Sequence, residues 1–210
     1  ALPVTALVGF LIGITISYLS ALQLRNFGAD LFIVNILGIS IVRELGPVLV
    51  AVLVAGRSGS AMTAQIGVMR VTEEIDALST MGVSRTVRVV LPKVAGLTAA
   101  MPLLVLWTSA VAMLGGMVAA LLQLDLSLAY FLDNLPRAVP VSNLVIGLCK
   151  GLVFGFVIAL VACHFGLRVK PNTESLAANT TTSVVTAITM VILIDAVFAV
   201  LTRHIGVPRL

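Results

Sequence analysis

The chain has 210 residues, of which 60% are hydrophobic and 10% are charged, and its formal net charge is +4. Soluble domains usually carry about 25% charged residues and under about 50% apolar ones, so this composition excludes a water-covered globular protein and predicts an integral membrane protein. The low aromatic share of 5% and the lack of long alternating strands disfavour an outer-membrane barrel. No basic run with interleaved aromatic residues occurs, so nucleic acid is not expected as a partner.

Five charge-poor runs are long enough to cross a bilayer, whose hydrocarbon core of roughly 30 Å needs about 20 residues. They are residues 1–24, 31–56, 94–124, 138–167 and 175–202. The loops after the second and fourth runs are rich in basic residues, which places both in the cytoplasm. We therefore predict an all-α integral membrane protein with five transmembrane helices, forming a single domain over residues 1–210. Residues 172–182 are expected to form a loop leading into the capped fifth helix.

The second span carries two adjacent charges, Arg43 and Glu44, followed by Pro47. An ionisable residue at mid-bilayer costs at least ~2.5–3.5 kcal/mol on insertion scales, so such residues face a bundle interior or a cavity. Pro47 cannot donate to the carbonyl of Arg43 and its ring crowds that carbonyl, which predicts a kink. Neighbours on an α-helix point about 100° apart. Arg43 and Glu44 therefore need not pair with each other, and Lys150 in the fourth span is the expected partner of Glu44.

These intramembrane charges allow two interpretations. They either form a polar site that meets a substrate headgroup or gates a cavity, or they pair only to hold helices together. Asp195 interrupts the fifth span in the same way. No combination of nucleophile and base, and no cluster of metal ligands, is visible in the sequence. The chain is therefore not expected to be an enzyme by itself or to bind a metal.

The longest polar stretch, AGRSGSAMTAQIGVMRVTEEIDALSTMGVSR, begins at Ala55 and ends at Arg85. Small residues recur every four positions in its first part, which predicts helix faces that pack closely against other helices. The two series are Gly56, Ser60, Ala64 and Gly59, Thr63, Gly67. The GRSGS segment lacks the Lys-Ser/Thr ending of a phosphate-binding loop, so any ATP would be hydrolysed on another chain.

The second part of this stretch predicts a short amphipathic helix. Thr72 would cap it, and Gly82 would end it. Three acidic residues fall in the first turn, where the helix dipole favours them, namely Glu73, Glu74 and Asp76. An apolar face is formed by Val71, Ile75 and Leu78. The helix could lie on the lipid surface, although such helices favour basic polar faces, or it could dock onto a cytoplasmic partner.

The run RELGPVLVAVLVAGRSGSAMTAQIGVMRVTEEIDALSTMGV, residues 43–83, closely resembles the signature region of one permease family. This is the Mla permease family, the permease subunits of MCE-type ABC lipid transporters. The resemblance is strongest from Ile41 to Pro92 and continues more weakly through LCKGLVFG and NTTTSVV into the fifth span. Two departures are Gln65, where the family commonly has Glu, and the absence of Arg around the threonines of LAANTTTSVV.

The resemblance implies a homodimer in the bacterial inner membrane with five spans, usually preceded by an interfacial helix that is absent from this chain. It implies three protein partners: a second copy of the chain, a cytoplasmic ABC ATPase subunit that holds ATP and Mg, and a periplasmic MCE-domain protein. Phospholipid would occupy a cavity at the dimer interface. No cofactor is implied for this chain itself.

The resemblance also implies roles for individual residues. The cytoplasmic coupling helix between spans two and three falls on residues 72–81, and the residues expected to contact the ATPase are Thr72, Glu73, Glu74, Ile75, Asp76, Ala77 and Leu78. The polar part of the lipid pocket would be shaped by Arg43, Glu44 and Lys150. Acyl chains would contact Leu45, Val48, Leu49 and Val52.

The expected function is ATP-driven movement of phospholipids between the inner and outer membranes. One alternative is a permease for sterols or other hydrophobic compounds. Two others come from different classes of protein: an ion-coupled carrier that uses the intramembrane charges as a relay, and a scaffold in which these charges only hold helices together.

Overall fold

A computed structural model describes residues 1–27, 33–124, 131, 133–136 and 139–202. Its longer α-helices are α1 (Leu2–Phe27), α2 (Ile33–Ile39), α3 (Gly46–Val54), α4 (Ser60–Val71), α5 (Glu74–Thr80), α6 (Leu91–Leu124), α7 (Val141–Leu167) and α8 (Thr173–Leu201). Three π-helical segments, Ser40–Leu45, Ala55–Gly59 and Thr86–Val90, connect some of them. No strand occurs in the described ranges.

Five helical runs in the described part are long and apolar enough to cross a membrane, which confirms the predicted all-α fold with five spans. They are Leu2–Leu24, Val34–Val71, Thr86–Leu122, Val141–Leu167 and Thr173–Leu201. The second span continues to Val71 instead of ending at Gly56. A short helix, α5, lies between the second and third spans, as predicted.

The predicted loop at residues 172–182 is wrong, because α8 begins at Thr173. The Asn172 side-chain oxygen accepts a hydrogen bond of 2.7 Å from the backbone N–H of Ser175, which caps the helix at this earlier point. Thr180 and Thr182 donate their hydroxyl protons to carbonyls four residues back. The polar side chains of this run are thereby satisfied within the helix instead of breaking it.

The backbone before Pro47 forms the π-helical segment Ser40–Leu45, and the predicted kink at Pro47 remains a prediction. The N–H of Gly46 donates to the carbonyl of Ile41, five residues back. Pro47 then lies in the first turn of α3, where a missing N–H is tolerated. A Cβ at Gly46 would clash with the hydroxyl oxygen of Ser109, so this close approach requires glycine.

The contacts of the chain group into two compact units. Unit 1 comprises Ala1–Val50, Pro102–Lys150 and Phe198–Leu210, and unit 2 comprises Ala51–Met101 and Gly151–Val197. The single domain predicted for residues 1–210 remains a prediction.

In unit 1, helices α1 and α6 approach each other closely. A Cβ on Gly13 would clash with the Ala112 carbonyl, and one on Gly115 would clash with the Phe10 carbonyl. Small residues at such crossings let the backbones of membrane helices come together. A cluster of buried apolar side chains completes this unit, with Leu37 and Phe131 among its largest members.

In unit 2, one of the two predicted small-residue faces packs as expected. Thr63 lies within hydrogen-bond distance of the Ala162 carbonyl (3.1 Å) and of the Ser183 hydroxyl (2.8 Å), and all of these groups are buried. A side chain at Gly67 would clash with Leu176. Gly56, on the other predicted face, has open space around it. Among the described residues, the Gly59, Thr63, Gly67 series therefore forms close contacts, whereas Gly56 of the other series does not.

Candidate substrate and coupling sites

Unit 1 brings Glu44 and Lys150 together, which confirms the predicted ion pair between the second and fourth spans. The Lys150 Nζ atom donates to the Glu44 Oε2 atom. The Lys150 side chain is fully buried. A close approach of the two backbones makes this contact possible, since a Cβ on Gly147 would clash with the carbonyl of Val42. Glycine one turn before the lysine therefore brings α7 against the π-helical segment.

Arg43 also contacts Glu44, which the sequence reasoning did not expect. The Arg43 Nε atom lies 3.4 Å from the Glu44 Oε1 atom. The expectation of a 100° separation holds for an α-helix, whereas Ser40–Leu45 is π-helical. The i to i+5 bonding of a π-helix places more residues in each turn, so neighbouring side chains are separated by a smaller angle. Glu44 is thus shared between its neighbour Arg43 and Lys150 of α7.

The terminal nitrogens of Arg43 contact two residues that sequence reasoning missed. Nη1 donates to the Oδ1 atom of Asn143 at 3.4 Å. Nη2 donates to the backbone carbonyl of Thr202 at 2.5 Å and lies 3.2 Å from its hydroxyl oxygen. Asn143 could have been found, because it is seven residues before Lys150, which places both on one face of a helix. No sequence pattern links Thr202 to Arg43.

The four predicted acyl-chain contacts lie on partly exposed positions of the second span. Leu45, Val48 and Leu49 in unit 1 are half-buried, and Val52 in unit 2 is half-buried as well. By contrast, Val50 in unit 1 is fully buried. These four side chains are therefore accessible to a ligand outside the chain, and their role in lipid binding stays a prediction.

Unit 1 also contains an apolar groove of about 250 Å³ that the sequence did not predict. It is lined by Val42, Met113, Leu135, Pro136, Val139, Val141 and Leu144. None of the predicted acyl-chain contacts lines it. Its residues come from three spans and the segment that precedes the fourth span, so no periodic pattern within one helix could have identified it.

At the coupling segment, the predicted cap is wrong. α5 begins at Glu74, and no side chain caps its first turn. The Thr72 hydroxyl instead donates to the Val68 carbonyl at 3.1 Å, because α4 ends only at Val71 and Thr72 follows it directly. Glu73 adopts a left-handed conformation, with φ 61°. Thr72 and Glu73 therefore form the tight turn that joins two consecutive helices.

The predicted end of α5 at Gly82 is confirmed. Gly82 has a φ of +75°, its N–H donates to the Ser79 carbonyl, and the N–H of Val83 donates to the Leu78 carbonyl. This pair of bonds is the Schellman arrangement, in which a left-handed residue satisfies the last carbonyls of a helix. Glycine adopts this φ without steric cost.

The two faces of α5 have different environments. Ile75 is fully buried in the core of unit 2, and Leu78 packs against that core. These two residues of the predicted ATPase contact set therefore anchor α5 within the chain. The other five members are exposed, namely Thr72, Glu73, Glu74, Asp76 and Ala77.

Beside the exposed face of α5 lies a groove of about 440 Å³. Met69, Ala77, Met81 and Val89 are among the apolar side chains that line it, and Arg88 adds a positive charge. An ion pair of 2.8 Å joins Arg70 to Asp76 across the preceding turn. Methionine side chains adapt to different partners and are common on protein-binding surfaces. This surface can accept apolar side chains between charged groups.

Within the described ranges, no group of three His, Cys, Asp or Glu residues could hold a metal ion.

Comparison with known proteins gives a consistent result. The sequence profile of one family, described as Permease MlaE, matches residues 1–201. A probable ABC transporter permease protein of Rickettsia bellii is 33% identical over 193 residues, which cover 92% of this chain and 74% of the relative. A probable ABC transporter permease protein of Synechocystis is 34% identical over 177 residues, which cover 84% of this chain and 67% of the relative. The chloroplastic protein TRIGALACTOSYLDIACYLGLYCEROL 1 of Arabidopsis thaliana is 27% identical over 199 residues, which cover 95% of this chain and 57% of the relative.

Proposed function

The chain belongs to the MlaE permease family, and from this premise we propose that it moves phospholipids between the inner and outer membranes of a bacterium. It acts as a multi-pass permease subunit of an ABC transporter. In the proposed assembly, two copies enclose a lipid cavity in the inner membrane, and a separate cytoplasmic subunit binds ATP and Mg. A periplasmic MCE-domain protein receives or delivers the lipid.

The observation that carries this proposal is the charged cluster of Arg43, Glu44 and Lys150 in unit 1, in which Arg43 and Lys150 are buried and Glu44 is partly exposed. Charged groups within membrane spans are expensive and usually mark a substrate pathway. The guanidinium of an arginine matches the geometry of a phosphate group, which it can bind through two parallel hydrogen bonds. A phosphate-bearing headgroup is therefore the ligand that this chemistry fits. The Arabidopsis relative carries the name of a diacylglycerol lipid, which also supports a lipid substrate.

The apolar part of the substrate would contact the half-buried side chains of the second span. Leu45, Val48, Leu49 and Val52 repeat at the three- and four-residue spacing of one helix face. Because this face is only partly covered within the chain, its remaining surface is available to acyl chains in a cavity between two copies.

The lipid site is tested by photocrosslinking from a photoreactive residue at Leu49 in the assembled complex. We expect a phospholipid adduct whose yield changes when ATP is added, because ATP would open or squeeze the cavity. Leu103 provides a matched control, since it is 68% exposed and should crosslink bulk lipid equally with and without ATP. An intact complex with no adduct at Leu49 would exclude this site. Mass spectrometry of the adduct distinguishes phospholipid from sterol.

The exposed acidic face of α5 is the proposed docking surface for the ATPase subunit. Its support is structural, because Ile75 anchors the helix, the Gly82 stop fixes its end, and the Glu73, Glu74 and Asp76 side chains remain exposed. A helix held in its bound conformation loses little entropy on docking. Movement of the ATPase could then be transmitted to the spans on either side of α5.

The coupling surface is tested by Asp76→Lys, which reverses one charge and removes the contact with Arg70. We expect the variant to insert into the membrane but to lose co-purification of the ATPase subunit. Asp133→Lys makes the same change at another exposed position and should retain the ATPase. If Asp76→Lys retains both the subunit and its lipid-stimulated ATP hydrolysis, the coupling assignment is wrong. An ion-coupled carrier or a scaffold should bring down no ATPase even as the native chain.

A further inference from the structure

The described contacts of the Arg43 guanidinium include three residues of unit 1. Glu44 contacts its Nε atom, Asn143 its Nη1 atom and Thr202 its Nη2 atom. These residues come from the π-helical segment, the first turn of α7 and the end of α8. The N–H donors of a guanidinium lie in one rigid plane, so the hydrogen-bond acceptors around the group determine how that plane is oriented.

Asn143 accepts the hydrogen bond from Nη1 of Arg43 in a buried position. Its side chain is fully buried, and its backbone N–H donates to the Pro140 carbonyl at 2.9 Å in the first turn of α7. A buried amide side chain is expensive unless its polar atoms are bonded. Its Oδ1 atom is the acceptor that fixes the Nη1 side of the guanidinium of Arg43.

Thr202 contacts the Nη2 atom of the Arg43 guanidinium. Its hydroxyl donates to the Phe198 carbonyl at 2.7 Å, so the oxygen lone pairs remain available to Nη2 of Arg43. Its backbone carbonyl directly follows the last turn of α8, where carbonyls have no donor partner within the helix. A positive charge at this position is also favoured by the helix dipole.

We propose that Asn143 and Thr202 are positioning residues that orient the Arg43 guanidinium toward the phosphate of a lipid headgroup. This inference rests on the proposed function, and it adds two residues that act through Arg43 instead of touching the lipid. A guanidinium that is already oriented loses less conformational freedom when the headgroup binds, which raises affinity.

The test measures binding of fluorescent phosphatidylglycerol to the detergent-solubilised complex of native and variant chains. Asn143→Leu keeps the size of the side chain and removes the acceptor, and we expect the dissociation constant to rise about tenfold, the usual effect of losing one hydrogen bond to a charged group. Asn143→Asp keeps an acceptor oxygen in place and should recover most of the affinity. Asn179→Leu is the matched control, because Asn179 bonds only within its own helix among its described contacts, and it should bind like the native chain.

A double-mutant cycle separates positioning from a general structural effect. In an Arg43→Gln background, Asn143→Leu should cause no further loss of affinity, since the group it orients is gone. An equal loss in both backgrounds, or an Asn143→Asp variant as weak as Asn143→Leu, would overturn the proposal.

Two further outcomes are distinguishable. If Asn143→Leu does not assemble, Arg43→Lys tests the same geometry, because lysine keeps the charge but lacks the fork that reaches Asn143 and Thr202 together. Native affinity in Arg43→Lys would then overturn the positioning role, and a loss of about tenfold would support it. Native affinity in Arg43→Gln would instead contradict the lipid pocket of the proposed function.

Discussion

Two ion pairs in this protein differ in how far their cation is buried. In unit 1, Lys150 is fully buried and its partner Glu44 has a side chain that is 36% exposed. In unit 2, Arg70 and Asp76 are 33% and 57% exposed and lie 2.8 Å apart. Both pairs have short contacts, yet the energetic consequence of breaking them depends on solvent. An exposed pair exchanges its partner for water, whereas a buried ion has no such replacement.

The difference in burial between the two ion pairs corresponds to different roles of the two regions. The cluster around Arg43 and Lys150 is held on several sides and shapes the interior of unit 1. The acidic face of α5 is open, so its charges are available to a partner protein. Variants of the Arg43 and Lys150 cluster should therefore change the stability of the fold, whereas variants of the exposed α5 face should change partner binding.

Glu44→Gln should have the largest effect on stability. It removes the carboxylate from a buried lysine, and breaking a buried pair in this way costs about 3–5 kcal/mol. Thermal unfolding of the solubilised protein measures the loss. The double variant Glu44→Gln, Lys150→Met should recover much of it, because neither charge then remains. A double variant as unstable as Glu44→Gln alone would show that the pair is not the source of the effect.

Gly147→Ala should destabilise unit 1 by about 1–3 kcal/mol, the usual result of overpacking. The added Cβ would clash with the Val42 carbonyl and push α7 away from the π-helical segment that carries Glu44. The same thermal assay applies. Gly96→Ala in α6 is the control, since nothing lies near a Cβ at that position. Equal melting temperatures for the two variants would argue against the close approach.

Gly82→Ala should affect α5 alone, by about 1–2 kcal/mol, because a φ of +75° is unfavourable for a residue with a Cβ. We expect faster hydrogen exchange of the α5 amides and little change elsewhere. Gly82→Asn should have a smaller effect, since asparagine tolerates the left-handed region. Unchanged exchange in Gly82→Ala would mean that the Schellman stop does not stabilise the helix.

Arg70→Gln should have the smallest effect, less than about 1 kcal/mol, because exposed ion pairs contribute little to folding. Its melting temperature should match that of the native chain in low and high salt. A loss as large as that of Glu44→Gln would remove the distinction between the two regions.

Much of the fold was predictable from the sequence because lipid restricts what a chain can do. Backbone groups must be bonded within a segment that crosses the membrane, so five long apolar runs indicate five helices. The boundaries were less predictable. Residues 173–182 are polar, yet they are helical because their hydroxyls bond to carbonyls of the same helix.

The site was predictable where chemistry within the membrane leaves few choices. A carboxylate and an ammonium in two spans stabilise each other, so Glu44 and Lys150 could be paired before the structure was known. The contact between Arg43 and Glu44 was not predictable, because it depends on a π-helical turn that no residue spacing indicates. The inward direction of Ile75, and with it the choice of the exposed face of α5, also required the packed core of unit 2.

The sequence by itself therefore determined the solvent, the number of spans, the position of α5 and one ion pair between two spans, since each follows from hydropathy, charge or glycine conformation along the chain. Only the tertiary structure decided how Arg43 is held. Asn143 and Thr202 are 100 and 159 residues away from it along the chain, and their contacts exist because the packed helices bring three separate segments together. Local patterns do not encode such distant contacts, and for this reason the orientation of the guanidinium could be read only from the folded protein.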